Sequence, residues 1–187
     1  LAAAWCLADA GVAPRELDHG AISRNPRANL SAKLRRAMAN RNLAFLRSRL
    51  ANVARVRDVK GALAGALDVS PAELRAQFHN VEHHHAHLGS AFYVSPFEEA
   101  AVLSIDGFGD FASTMLAHGR GPRMTILDRV LFPHSLGVVY TALSHYLGFR
   151  KWGDEGKTMG LAAYGEPRFV DVMRDVIRLE GDSFRLN

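Results

Sequence analysis

Between residues 99 and 132 the chain reads as three strand-length segments divided by two short turns. Ala100 to Asp106 (Ala-Ala-Val-Leu-Ser-Ile-Asp) is an apolar run of strand length. Gly107-Phe108-Gly109-Asp110 follows as a tight glycine turn, and Phe111 to His118 is a second strand. Arg120-Gly121-Pro122-Arg123 turns the chain into a third, Met124 to Phe132. Connections this short join antiparallel strands, because a parallel pair needs a long crossover. The spacing therefore predicts an antiparallel meander.

Helical patterns flank it. Ser135 to Leu147 and Lys157 to Tyr164 read as helices, and after Gly165-Glu166-Pro167 another runs to about Leu179. Ser183 to Asn187 reads as a strand just starting. Upstream, residues 1 to 9 look helical and Gly11 to Asn29 reads as loop. Leu30 to about Val56 reads as one or two basic helices, and Val59 to Leu67 as another. Ser70-Pro71-Ala72-Glu73 has the residues of a capped helix start, predicting a helix to about Phe78. Asn80 to Glu82 is extended, and a helix from His83 to Tyr93 ends at Ser95-Pro96. The pattern predicts an α/β fold with mixed sheet character. A helix-rich part over 1–98 would carry the histidine cluster, and 99–187 would carry the meander, glycine turn and later helices.

Composition narrows the class. Apolar residues make up 48% and charged residues 22%, ordinary values for a globular domain. No apolar run reaches the roughly 18 to 20 residues that a membrane helix needs. The single cysteine, Cys6, excludes an internal disulfide framework and a cysteine zinc cage, and reads as a buried small apolar group. A reducing, cytoplasmic setting fits, and no signal peptide is recognised at the start. The chain opens in what reads as mid-helix and closes as a strand begins, which predicts an internal piece of a longer protein. Residues 24 to 60 hold eleven Lys/Arg against Asp58, a net +10 that leaves the rest at −6 within the overall +4. Leu34, Met38, Phe45, Leu46 and Leu50 recur between those charges at roughly helical spacing, so the window reads as a solvated helical face. A nucleic-acid surface is the alternative, without the aromatic interleaving of a stacking platform.

Four of the nine histidines lie in Glu82-His83-His84-His85-Ala86-His87. On a helix His83 and His87 are one turn apart on one face, the spacing by which two imidazoles share a metal ion. The metalloprotease pattern is absent, because Glu does not follow the first histidine. A third ligand must come from elsewhere, and Asp106, at a strand end before a glycine, is the natural donor. Imidazole suits iron, zinc and manganese. In the glycine turn, amides at Gly107 and Gly109 with the hydroxyl of Ser113 could cradle a phosphate. An ordinary hairpin turn is the other reading.

Together these segments resemble a known family. The histidine run resembles a His-His-x-Ala-His signature. Ser95 to Asp110, Phe132-Pro133-His134-Ser135-Leu136-Gly137, and Lys157 to Pro167 (Lys-Thr-Met-Gly-Leu-Ala-Ala-Tyr-Gly-Glu-Pro) follow in matching order. The family is the O-carbamoyltransferases of antibiotic and nodulation-factor biosynthesis. The resemblance covers residues 78 to 168 closely and 1 to 77 loosely. It implies a fragment of an actin-like, two-lobed domain with a helical insertion, related to the tRNA threonylcarbamoyl-transfer proteins. It implies that His83, His87 and Asp106 are metal ligands, with iron first and zinc or manganese as alternatives, and a further aspartate ligand downstream of Asn187. It implies carbamoyl phosphate and ATP as the source of carbamoyl-adenylate, made in a separate adenylate-forming domain. A small-molecule or sugar hydroxyl would accept the carbamoyl group. His85 stands where an aliphatic residue is usual, which opens alternative ligation through His85. Asp110 replaces a common Glu, and Ala163 a common Pro.

Glu82, His84 and Asp110 are the neighbouring candidates for a general base, with His84 and Asp110 taken forward. His134 reads as a helix-start residue before a site residue. Glu155 and Lys157 would pair with each other or line the cleft. The same fold also carries ATPases and sugar kinases, but phosphoryl transfer on magnesium does not call for imidazoles.

Overall fold

The computed structural model describes residues 2–39 and 58–187. Residues 40–57 of the basic stretch, including Phe45, Leu46 and Leu50, lie outside the described residues. The chain divides into two compact units, Leu1–Val81 and Glu82–Asn187.

In the first unit, helices α1 (Ala2–Ala10), α2 (Leu30–Ala39) and α3 (Val59–Ala66) accompany strands β1 (His19–Ile22) and β2 (Gln77–Asn80). Asp58 caps α3, its side chain accepting the Gly61 N–H at 2.7 Å. β1 and β2 pair parallel, His19 opposite Gln77 and Ile22 opposite Asn80. Neither strand follows from the sequence pattern, which makes Gly11 to Asn29 a loop and Ser70 to Phe78 a helix. Half of the expected capping box does form, since Glu73 Oε2 accepts the Ser70 N–H at 2.9 Å. It closes a turn rather than a helix. Leu74 and Ala76 are buried, and the backbone beyond them takes its hydrogen bonds from β1. Long-range pairing here overrides a local helix signal. Cys6 is exposed, contrary to its expected burial. No residue of α1 is fully buried, and only Ala4 and Leu7 are half-buried.

In the second unit, β3 (Glu99–Gly109), β4 (Ala112–Arg120) and β5 (Arg123–Leu131) form the antiparallel meander in the order β3-β4-β5. Its first turn sits two residues later than the glycines suggest. Gly109 pairs with Ala112, so the turn is Asp110-Phe111, with φ of 49° and 78°. Two central residues at positive φ make the hairpin geometry that matches strand twist. Phe111 holds this unusual conformation because its ring is buried against Phe132, with centroids 5.3 Å apart.

Helix α4 (His83–Phe92) covers one face of the sheet. Leu88 and Phe92 pack with Val102, Met115 and Ala117 into the core, each large side chain contributing about 1.5–3 kcal/mol by burial. Gly119 lets Phe92 lie flat on β4, since a Cβ there would stand 2.8 Å from the ring.

Helices α5 (Leu136–Tyr146) and α6 (Glu155–Ala162) follow. They are joined by Thr141 donating to Glu155 at 2.7 Å and by Thr158 bonding the buried Ser144 at 2.8 Å. Glu155 therefore does not pair with Lys157, which pairs with Asp154 at 2.7 Å. α7 (Val170–Val176) stops short of Leu179. Strand β6 (Ile177–Glu180) leaves it and pairs with β7 (Ser183–Leu186) across a turn at Gly181, φ 60°. No helix among the described residues is long and apolar enough to cross a membrane.

Candidate metal centre

Side chains alternate along β3, so Val102, Ser104 and Asp106 share one face. α4 runs against the strand direction over that face. Leu88 and Phe92 meet Val102 in the core, His84 meets Ser104, and His83 and His87 meet Asp106. The helix begins beside Asp106 because its first turn is capped twice. Glu82 Oε2 accepts the His85 N–H at 2.7 Å, and Asp110 Oδ2 accepts the His83 N–H at 3.0 Å. Acids also suit the positive end of the helix dipole.

Three ligand atoms converge there. His83 Nε2 lies 3.0 Å from Asp106 Oδ2, His87 Nε2 lies 3.5 Å from it, and the two nitrogens are 3.0 Å apart. Ligands held about 2.1 Å from one ion stand about 3.0 Å apart at right angles and about 3.4 Å apart tetrahedrally. The triangle fits either arrangement. Shared protons serve such a cluster poorly, whereas one cation satisfies all three atoms together. Two imidazoles and a carboxylate are a donor set for iron, zinc or manganese. Among the described residues this is the one group of three or more His, Cys, Asp or Glu side chains with that convergence. Its open side faces a cleft of about 330 Å³ lined by His87, Leu103, Ser104, Ile105 and Asp106.

Asp106 is held below the ordinary carboxylate range, chiefly by its hydrogen bond to His83, and further by the Gly107 N–H and both imidazoles. Burial opposes this and loses, so the group is an anion and acceptor only.

The other candidates have different surroundings. His84 is fully buried. Its Nε2–H donates to the Ala112 carbonyl at 3.0 Å, and its Nδ1 accepts from the Ser104 hydroxyl at 2.8 Å. Burial pulls its pKa below the ordinary 6.5, and the Ala112 carbonyl only partly opposes that. A neutral imidazole with both nitrogens occupied pins the helix to the sheet and has no free atom to take a proton. Asp110, the other base candidate, spends a carboxylate oxygen on the helix end. His85 stands outside the triad.

Two of the three expected phosphate contacts, Gly107 and Ser113, have other hydrogen-bond partners, and the third, Gly109, is covered by a ring. Gly109 packs under the His83 imidazole, whose Cγ and Cδ2 occupy the place of a Cβ. The Gly107 N–H donates to Asp106 Oδ1 at 2.6 Å. Ser113 is fully buried and donates to the His134 carbonyl at 2.6 Å. His134 Nδ1 accepts the Leu186 N–H of β7 at 3.2 Å, while the cap of α5 is Ser135.

Ser104 is a site residue that sequence reasoning missed. The available signal was a hydroxyl inside an apolar strand, which needs a partner when buried. Replacing His84 with Leu keeps bulk but strands the Ser104 hydroxyl and the Ala112 carbonyl. At about 1–3 kcal/mol for each of the two buried unsatisfied groups, stability should fall by about 2–6 kcal/mol. Urea unfolding checks this, and an unchanged midpoint would remove the pinning role.

A family model described as Carbamoyltransferase N-terminus matches residues 2–187. An uncharacterized protein of Synechocystis sp. is 40% identical over 192 residues, covering 98% of this chain and 31% of its own length. Nodulation protein NolNO of Sinorhizobium fredii is 42% identical over 109 residues, covering 58% of this chain and 16% of its own. Nodulation protein NolO of Bradyrhizobium diazoefficiens is 46% identical over 89 residues, covering 46% and 16% respectively. The chain thus spans 31% or less of the length of these three relatives.

Proposed function

The chain belongs to the carbamoyltransferase N-terminus family, and we propose from that premise that it carries the metal site of an O-carbamoyl transfer. The donor in this reading is carbamoyl-adenylate, made from carbamoyl phosphate and ATP in a separate domain. The acceptor is a hydroxyl of a sugar or other small molecule. The fold is taken as part of an actin-like domain. The observation that carries the proposal is the convergence of His83 Nε2, His87 Nε2 and Asp106 Oδ2 within 3.5 Å of one another.

The alcohol oxygen attacks the carbamoyl carbon, and the bond from that carbon to the phosphate oxygen breaks. AMP leaves with the electron pair, and the proton of the alcohol passes to solvent. Negative charge grows on the carbamoyl oxygen and on the departing phosphate. A divalent cation, when bound, supplies positive charge to neutralise that growth and to orient the phosphate. His83 and His87 would offer their Nε2 atoms to it, from one face of one helix. Asp106 supplies the anionic ligand, kept ionised by its neighbours. His84, neutral and buried, holds the helix and the strand at the spacing the triad needs.

The test uses the full-length protein. Metal content is measured by elemental analysis, and carbamoylated product is followed with carbamoyl phosphate, ATP and a panel of hydroxyl acceptors. Near-stoichiometric iron, zinc or manganese is expected, with strong loss in His83→Ala and in His87→Ala. Metal content unchanged in both variants would sink the site. Turnover that survives removal of the metal would sink the mechanism.

A further inference from the structure

Asp106 can serve a metal only if its carboxylate is aimed, and the aim is set by backbone. Its Oδ1 accepts the N–H of the peptide it begins, at Gly107, 2.6 Å away, while Oδ2 faces the two imidazoles. Turning that peptide would carry Oδ1 with it and swing Oδ2 out of the triangle.

The peptide is braced from the far end of the meander. Ser135 is fully buried at the N-cap of α5. Its one hydroxyl hydrogen faces the Gly107 carbonyl, in the peptide just beyond, at 2.7 Å (oxygen to oxygen) and the Asp106 carbonyl of the aiming peptide itself at 3.2 Å, and its oxygen accepts the Val138 N–H at 3.1 Å. Both its donor and its acceptor capacity are used. Two residues on, Gly137 presses against the Asp106–Gly107 peptide directly. A Cβ there would stand 2.7 Å from the Asp106 carbonyl carbon and oxygen and 2.8 Å from the Gly107 nitrogen. Real Cβ contacts do not come so close, and the atoms they would meet are backbone, which cannot swing aside. Ser113 in turn fixes the His134 carbonyl, just before Ser135, at 2.6 Å. The Pro133-His134-Ser135-Leu136-Gly137 stretch has no role in the ligand set, yet it grips the ligand strand at its end.

We infer that Ser135 and Gly137 are positioning residues for the metal carboxylate: the first turn of α5 is a rest that holds the Asp106–Gly107 peptide, and through it the Asp106 carboxylate, in register with His83 and His87. The inference rests on the metal-centre reading and adds to it a pair of residues that touch no ligand atom. Outer-shell partners of this kind typically cost about 10- to 100-fold in metal affinity when lost.

The experiment is a titration of the metal-free, full-length protein with a divalent iron, zinc or manganese salt, read by calorimetry. Each variant is also melted without metal. Ser135→Ala should weaken metal binding by about 10- to 100-fold. Ser144→Ala is the control, another fully buried serine on α5 whose hydrogen-bonded partner is Thr158. It should lower the melting temperature but leave metal affinity as in the parent. Gly137→Ala, read in the same way, should weaken metal binding by pushing the peptide without removing a hydrogen bond, and it decides the matter if Ser135→Ala does not fold. Parent-like affinity in a folded Ser135→Ala or, failing that, in a folded Gly137→Ala overturns the inference. An equal loss in Ser144→Ala also overturns it. Asp106→Asn separates the two readings. If the parent binds no metal, or Asp106→Asn binds as the parent does, the metal centre itself fails. If Asp106→Asn loses metal while Ser135→Ala keeps it, only the positioning role fails.

Discussion

Asp106→Asn is expected to strip the divalent metal from the full-length protein and to lower carbamoyl transfer by on the order of a hundredfold or more, the scale for losing a group that stabilises transition-state charge. The substitution keeps shape and size. It removes the negative charge that the triad would present to a cation, and it puts an amide in place of a carboxylate within 3.5 Å of the two imidazole nitrogens. Adenylate formation should persist, because the proposed mechanism assigns that step to another domain. Following pyrophosphate release and carbamoylated product in the same variant distinguishes the cases. A parallel fall in both would make Asp106 structural or the two sites coupled. No fall in either would end its proposed role.

Gly109→Ala should be nearly as damaging, although Gly109 ligates nothing. A Cβ at this position falls on Cγ and Cδ2 of His83. The ring must leave, and with it goes the nitrogen that faces Asp106. The His83 backbone cannot follow the ring, because its N–H is held by Asp110 on the next residue of the turn. Metal content in Gly109→Ala should therefore approach that of His83→Ala. Gly107→Ala meets no atom within 4 Å of its Cβ and should retain more metal. Elemental analysis of the three proteins side by side checks the order, and a metal-replete Gly109→Ala would show that His83 reaches the site by another rotamer.

The convergence of His83, His87 and Asp106 was legible in the sequence because each part is a local pattern. His83 and His87 are one helical turn apart, and Asp106 ends an apolar strand. The meander was legible for the same reason, since short connections and strand-length apolar runs leave few pairings. Other features depend on partners distant in the chain. β2 forms at Gln77–Asn80 because β1, 55 or more residues earlier, offers it hydrogen bonds, so the helix signal at Ser70 to Glu73 ends as a turn. The glycines of β3 look like a phosphate loop in isolation. Once folded, Gly109 is space for a histidine 26 residues upstream, and the turn moves to Asp110-Phe111. His84 is chemically the same residue as His83, and only burial between α4 and the sheet makes one a pin and leaves the other facing a carboxylate. Residue type and period determined which side chains could do chemistry. Which of them face the cleft was decided by packing, because burial and hydrogen-bond partners are properties of the assembled layers and not of any one segment.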